Sequence, residues 1–165
     1  MIFLIIVLIL AVSFIIYSFC HDKLMIINIK LTNIEEKIDS ILIERHEILK
    51  DSEVLIKDVL NTKKEIFTGL SGLNYNRLTR FEFDRKLLTY ANEFYLVKDK
   101  YKELNENDSF QKLSFSLAET EDLLCAYKDF YNDSTENYNT TLKKFPIVIY
   151  SILSRKKEKS FFDKK

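Results

Sequence analysis

The sequence predicts an all-α protein: an N-terminal transmembrane helix followed by an antiparallel bundle of three long helices. Three observations predict it. Met1 to Cys20 contains no charged side chain. After Ile27, apolar residues recur at alternating three- and four-residue steps, the period of a helix with one buried face. The 165 residues include only Gly 2 and Pro 1, so few tight turns are available. That disfavours sandwiches and barrels, which turn about every 8–12 residues.

The anchor comes first. A bilayer core of about 30 Å needs roughly 20 apolar helical residues, and the run from Ile2 to Phe19 matches that length. A cleaved signal peptide would show a basic start and a small-x-small cleavage site. No basic side chain precedes Ile2, no Ala-x-Ala succeeds the run, and Phe19 rather than a small residue precedes Cys20. An uncleaved anchor over residues 1–21 is therefore expected. Lys23, Lys30 and Lys37 lie on the C-terminal side of the run, which favours a cytoplasmic location for the soluble domain.

The first helix of the bundle carries Ile27, Ile34, Ile41, Ile48 and Leu55 in one series and Leu31, Ile38, Arg45, Ser52, Val59 and Ile66 in the other. No Gly or Pro interrupts Met1 to Thr68, so the anchor is expected to run straight into this helix. Both glycines fall in Thr68–Asn74, which reads as the first turn, with Asn74 or Asn76 available as a cap. The second helix reads from Phe83, Leu87, Tyr90, Phe94, Val97, Tyr101 and Leu104. Asn105–Ser109 reads as the second turn, and Asp108 with Gln111 resembles a capping box. In the third helix Phe110, Leu117, Leu124, Tyr131, Tyr138 and Phe145 stand at a strict seven-residue interval until Pro146. Such a stripe is expected to face a core.

Short links make neighbouring helices antiparallel. The bundle is read over 22–146. Residues 147–165 are read as a short apolar segment, Ile147–Leu153, and a basic tail. On this helix order the tail lies near Ile66–Leu73, far from the membrane, and the charged remainder is expected to be mobile. Docking of Phe161, Phe162 and the neighbouring lysines on anionic lipid is the competing reading.

Composition argues against several functions. Lys+Arg 25 balances Asp+Glu 25, so no basic field exists to hold nucleic acid. Cys20 and Cys125 are too far apart in sequence to suggest a metal site or a disulfide framework. His46-Glu47 begins like a zinc-protease signature, but Lys50 stands where the second histidine is needed. Glu119, Glu121 and Asp122 lack a partner base and read as a solvated helix face. No catalytic, cofactor-binding or metal-binding residue is assigned, no cofactor is implied, and the chain is not expected to be an enzyme.

The last helix resembles the LemA family of bacterial membrane proteins. The family shows Thr-Glu, then two Tyr-Asn pairs seven apart, then Phe-Pro; here these stand as Thr120-Glu121, Tyr131-Asn132, Tyr138-Asn139 and Phe145-Pro146. Ile38, Leu42, Arg45 and Ile48 sit like the family's first-helix positions, and Tyr101–Leu104 and Phe110-x-x-Leu113 resemble two further elements. The prolines that family members carry after the arginine and before Lys102 are absent, and His21-Asp22 replaces a Tyr-Asn. The resemblance implies a single-pass, helical, non-enzymatic protein of the cell membrane.

On this reading the chain is an interaction or scaffold module with a protein partner. The alternative is a structural coiled-coil subunit of a membrane assembly, of the bitopic cell-division or phage-lysis type. The seams leave open a homo-oligomer. Arg45 and Glu121 are candidates for a buried ion pair that sets helix alignment. Asn132 and Asn139 are expected to make interhelical hydrogen bonds that fix register.

Overall fold

A computed structural model describes residues 1–162, and all its regular structure is helical: α1 (Ile2–Val59), a 3-10 turn (Tyr75–Arg77), α2 (Arg80–Lys100), α3 (Lys102–Asn105), α4 (Asp108–Leu142) and α5 (Ile147–Leu153). The class is the one the sequence predicts, with a long apolar helix at the N-terminus. Two compact units form. One comprises Met1–Glu35 with Asp129–Lys165, the other Glu36–Lys128.

In the unit Glu36–Lys128, the core draws on the predicted stripes: Ile38, Ile41, Leu42 and Ile48, joined by Leu49, from α1; Phe83, Leu87 and Phe94 from α2; and Phe110, Leu117 and Leu124 from α4. Leu55, Val59, Tyr90 and Val97 of the same stripes are only half-buried. The path between α1 and α2 differs from the expectation. α1 ends at Val59, several residues before the glycines. Asn61 adopts φ 47, the Asn61 amide donates to Asp58 O (3.3 Å) and the Thr62 amide donates to Lys57 O (3.0 Å). This is the left-handed cap that satisfies the last helical carbonyls. The chain then returns along α1. The Ile66 amide donates to Glu53 Oε1 (3.2 Å), and the His46 ring stands 3.3 Å from Leu70 O. Phe67 and Leu70 are fully buried on this return path.

Consequently α2 starts beside Asp39, where Arg80 donates from Nη2 to Asp39 Oδ2 (2.8 Å). Val59 and Leu60 share a cleft with Leu96 and Val97. Within this unit α2 therefore runs parallel to α1, not antiparallel. The link is long enough to carry the chain back before the helix begins. Thr79 caps α2 in a complete capping box with Glu82. After α3 the chain reverses, and α4 runs antiparallel to α2: the Phe94 and Phe110 rings stack at 5.1 Å, and Lys98 Nζ donates to Ser114 Oγ (2.7 Å). The α4 cap is Asn107 rather than Asp108, since Asn107 Oδ1 accepts from the Phe110 amide (3.0 Å).

In the unit Met1–Glu35 with Asp129–Lys165, Leu24, Leu31, Tyr131, Tyr138 and Leu142 are buried. Tyr138 shares a cleft with Leu24, and Tyr150 of α5 meets Tyr17 with ring centroids 5.1 Å apart. The seven-residue stripe fails at its last member. Phe145 is 80% exposed, because α4 ends at Leu142 and the helical period ends with it; Ile147 and Tyr150 take the inward positions. The tail also departs from the expectation. Residues 156–162 have no regular structure, but they are tied to α4 within this unit rather than free, and the ties run to Asn132 and Asn139 rather than to Ile66–Leu73. Asp163–Lys165 lie outside the described residues.

Candidate functional site

Two arrangements use the residues that the sequence singles out, one in each unit. The first is a charge cluster in Glu36–Lys128. Arg45 occupies a core position of α1 and is 2% exposed. Its Nη2 donates to Glu121 Oε1 (2.8 Å) and its Nη1 to Asp84 Oδ1 (3.4 Å). Lys128 donates to the other Asp84 oxygen, and the Tyr95 hydroxyl donates to Glu121 Oε2 (3.0 Å). Each of the four carboxylate oxygens thus accepts a hydrogen bond, and two cations balance two anions. A buried charge is tolerated only with this degree of pairing. Burial, reinforced by the Glu121 hydrogen bond and charge, pushes the Tyr95 phenol up to about 12. The raised value extends the pH range over which the hydroxyl keeps donating further into alkali.

The sequence predicts the pairing of Arg45 with Glu121 but not the part taken by Asp84, Tyr95 and Lys128. A sequence signal exists for Asp84: it stands between Phe83 and Leu87 on a helix face that is otherwise apolar. Thr120, beside Glu121, is buried and returns its hydroxyl to Leu117 O (2.7 Å). At the far end of the same α1 stretch, burial alone would raise the Asp39 carboxyl. Hydrogen bonds from Arg80 and Tyr75, together with the Arg80 charge, outweigh it and hold the group below its ordinary value.

The second arrangement lies in Met1–Glu35 with Asp129–Lys165. Asn132 and Asn139 do not fix helix register through a neighbouring helix, as the sequence suggests. They hold the tail. Asn139 Nδ2 donates to Lys159 O and Asn139 Oδ1 accepts from the Lys159 amide, both at 2.8 Å. Asn132 Oδ1 accepts from the Phe162 amide (2.8 Å). The Tyr131 hydroxyl donates to Ser160 O (3.4 Å), and its ring meets Phe162 at 6.2 Å. Lys159 Nζ sits 5.8 Å from the Tyr138 ring centre.

The spacing has a physical reason. Two asparagines seven apart on a helix are separated by about 10.5 Å along its axis. Three residues of chain reach about 10 Å at most, so Lys159 and Phe162 are far enough apart in sequence to meet both asparagines. The Tyr-Asn repeat therefore meets the tail at two residues three apart, Lys159 and Phe162. Each asparagine offers a donor and an acceptor side by side, as a paired strand would.

The family comparison bears on this repeat. The sequence model of the LemA family matches residues 27–165. The chain belongs to the LemA family. No curated protein and no solved structure matches it. The LemA match includes both Tyr-Asn pairs, Arg45, Glu121, Phe145-Pro146 and the tail that the asparagines hold. Within the matched residues, Arg45 and Glu121 form an ion pair, and Asn132 and Asn139 hold the C-terminal segment. Phe145 and Pro146 line an apolar groove with Tyr17 and Cys20. Among the described residues, no group of three or more His, Cys, Asp or Glu is placed to hold a metal ion.

Asn139→Ala removes both bonds to Lys159. At about 0.5–1.5 kcal/mol per hydrogen bond, the tail should lose roughly 1–3 kcal/mol of local stability. Exchange of the Lys159 amide should then accelerate by about fivefold or more. Unchanged protection of that amide in the variant would show that the asparagine does not hold the tail.

Proposed function

We propose that this LemA-family chain is a single-pass membrane protein whose helical domain serves as a non-catalytic scaffold for a protein partner. The observation that carries the reading is α1. Its helix is the one long and apolar enough among the described residues to cross a membrane, and its apolar side chains from Ile2 to Phe14 are all exposed. A bilayer is the environment that such a surface fits. The same helix continues without interruption past the apolar run to Val59, so anchor and scaffold share one backbone element. The lysines after the run favour a cytoplasmic domain.

Enzyme chemistry is not needed to account for the polar residues. The carboxylates of Asp84 and Glu121 are committed to Arg45, Lys128 and Tyr95. Exposed apolar side chains supply contact points instead: Phe115 is 72% exposed, and Leu96 is exposed as well.

The test uses photo-crosslinking residues at Phe115 and Leu96 in the full-length protein in its native membrane, after alkaline carbonate extraction has shown retention. A discrete adduct with a different protein at either position is expected. Adducts only at twice the chain mass would favour the structural-subunit alternative. Release of the full-length chain by carbonate would remove the membrane reading itself.

A further inference from the structure

The last turns of the anchor have a neighbour. α5 buries Ile147, Tyr150 and Ser151, and its Tyr150 packs edge-on to Tyr17. Ser13, Ile16 and Cys20 line the same groove with Ile149 and Leu153. Residues 13–20 belong to the uncharged run, so α5 overlaps roughly 10 Å of it along the helix axis. The exposed face of Phe145–Leu153 is apolar too. Ile152 is 72% and Leu153 73% exposed, and Phe145 and Ile149 are exposed beside them.

Water is a poor solvent for that face, and a short segment of backbone can enter lipid only if its polar groups are satisfied internally. Those of α5 largely are. The Val148 amide donates to Lys144 O (2.9 Å), Ile149 to Pro146 O (3.1 Å), Ser154 to Tyr150 O (2.8 Å) and Lys156 to Ser151 O (2.9 Å). Pro146 has no N–H to satisfy, and the Ser151 hydroxyl donates to Val148 O (2.8 Å). Charge then begins at one level. Arg155, Lys156 and Lys157 are exposed immediately after α5, and Lys156 shares a cleft with His21, Met25 and Asn28, just past the end of the uncharged run.

We infer that Phe145–Leu153 is a second membrane-contacting element, which dips into the leaflet beside the end of the anchor and places Arg155, Lys156 and Lys157 against anionic phospholipid headgroups. The inference rests on the reading of α1 as the anchor. The apolar face supplies insertion and the cations supply lipid preference, the two contributions that together hold interfacial segments. The Asn132–Asn139 strip then takes up the chain as it leaves the headgroup level.

The chain has no tryptophan, so a single introduced one reports its own surroundings. Ile152→Trp, Ile9→Trp and Leu96→Trp are compared in the full-length protein reconstituted into phosphatidylcholine–phosphatidylglycerol vesicles. With lipids brominated on their acyl chains, Ile9→Trp and Ile152→Trp emission should fall by roughly twofold or more, as for side chains within the acyl boundary. Leu96→Trp should be unaffected. Quenching of Ile9→Trp without quenching of Ile152→Trp overturns the inference and leaves the anchor standing. No quenching of Ile9→Trp overturns the anchor, and the inference with it. Bromine carried on phosphatidylglycerol should quench Ile152→Trp more than the same fraction carried on phosphatidylcholine. That difference should disappear when Arg155, Lys156 and Lys157 are all changed to Gln. Equal quenching by the two lipids in the parent chain overturns the anionic preference.

Discussion

Arg45→Met is expected to destabilise the unit Glu36–Lys128 by about 3–5 kcal/mol, the cost of breaking a buried ion pair from one side. The methionine fills much of the space, so the loss comes from charge rather than volume. Glu121 Oε1 and Asp84 Oδ1 would both lose the guanidinium. Lys128 still neutralises Asp84, so Glu121 is left as the uncompensated group. Adding Glu121→Gln should therefore recover a large share of the stability, because a neutral amide no longer needs a cation. Urea unfolding of the full-length protein in detergent micelles, followed by near-ultraviolet circular dichroism, reads both variants. A loss below about 1 kcal/mol for Arg45→Met would place the pair among solvent-screened surface pairs and refute a buried alignment role.

Phe94→Ala should cost about 3–5 kcal/mol, the range for deleting a buried aromatic ring. Phe94 is fully buried, stacked on Phe110 and edge-on to Tyr95. It ties α2 to the start of α4 at the point where the chain reverses. Its removal opens a cavity bounded by a second ring, which cannot collapse far. Phe115→Ala is the internal control. That ring is exposed, and its loss should change stability by no more than about 0.5 kcal/mol. If Phe94→Ala and Phe115→Ala unfold at the same urea concentration, α2 and α4 are not packed through this stack.

The Tyr-Asn repeat illustrates how a sequence pattern can be read correctly and assigned the wrong partner. Tyr131 and Tyr138 are buried, as their seven-residue spacing implies. Their asparagines share a helix face, as the same spacing implies. The spacing carries no information about what that face meets. A helix and an irregular length of the chain's own tail are both compatible with a row of amides. Only the folded chain, in which the two asparagines bond the backbone of Lys159 and Phe162, identifies the tail.

By itself, the sequence determined the helical class, the long apolar N-terminal helix, the core stripes through Ile38, Phe83, Phe94 and Phe110, and the Arg45–Glu121 pair. Each comes from local periodicity, or from a charge placed where the period demands an apolar side chain. The tertiary structure decided three things. α1 stops at Val59, capped by Asn61, rather than at the glycines, because asparagine tolerates the left-handed cap conformation nearly as glycine does. α2 runs parallel to its stretch of α1, because the freed link is long enough to return along it and bury Phe67 and Leu70. The C-terminal segment turns back onto α4, because Asn132 and Asn139 satisfy its backbone polar groups there. The second and third depend on distant partners, for apolar side chains in one case and for backbone hydrogen bonds in the other, and those partners are set by the folded chain rather than by local periodicity.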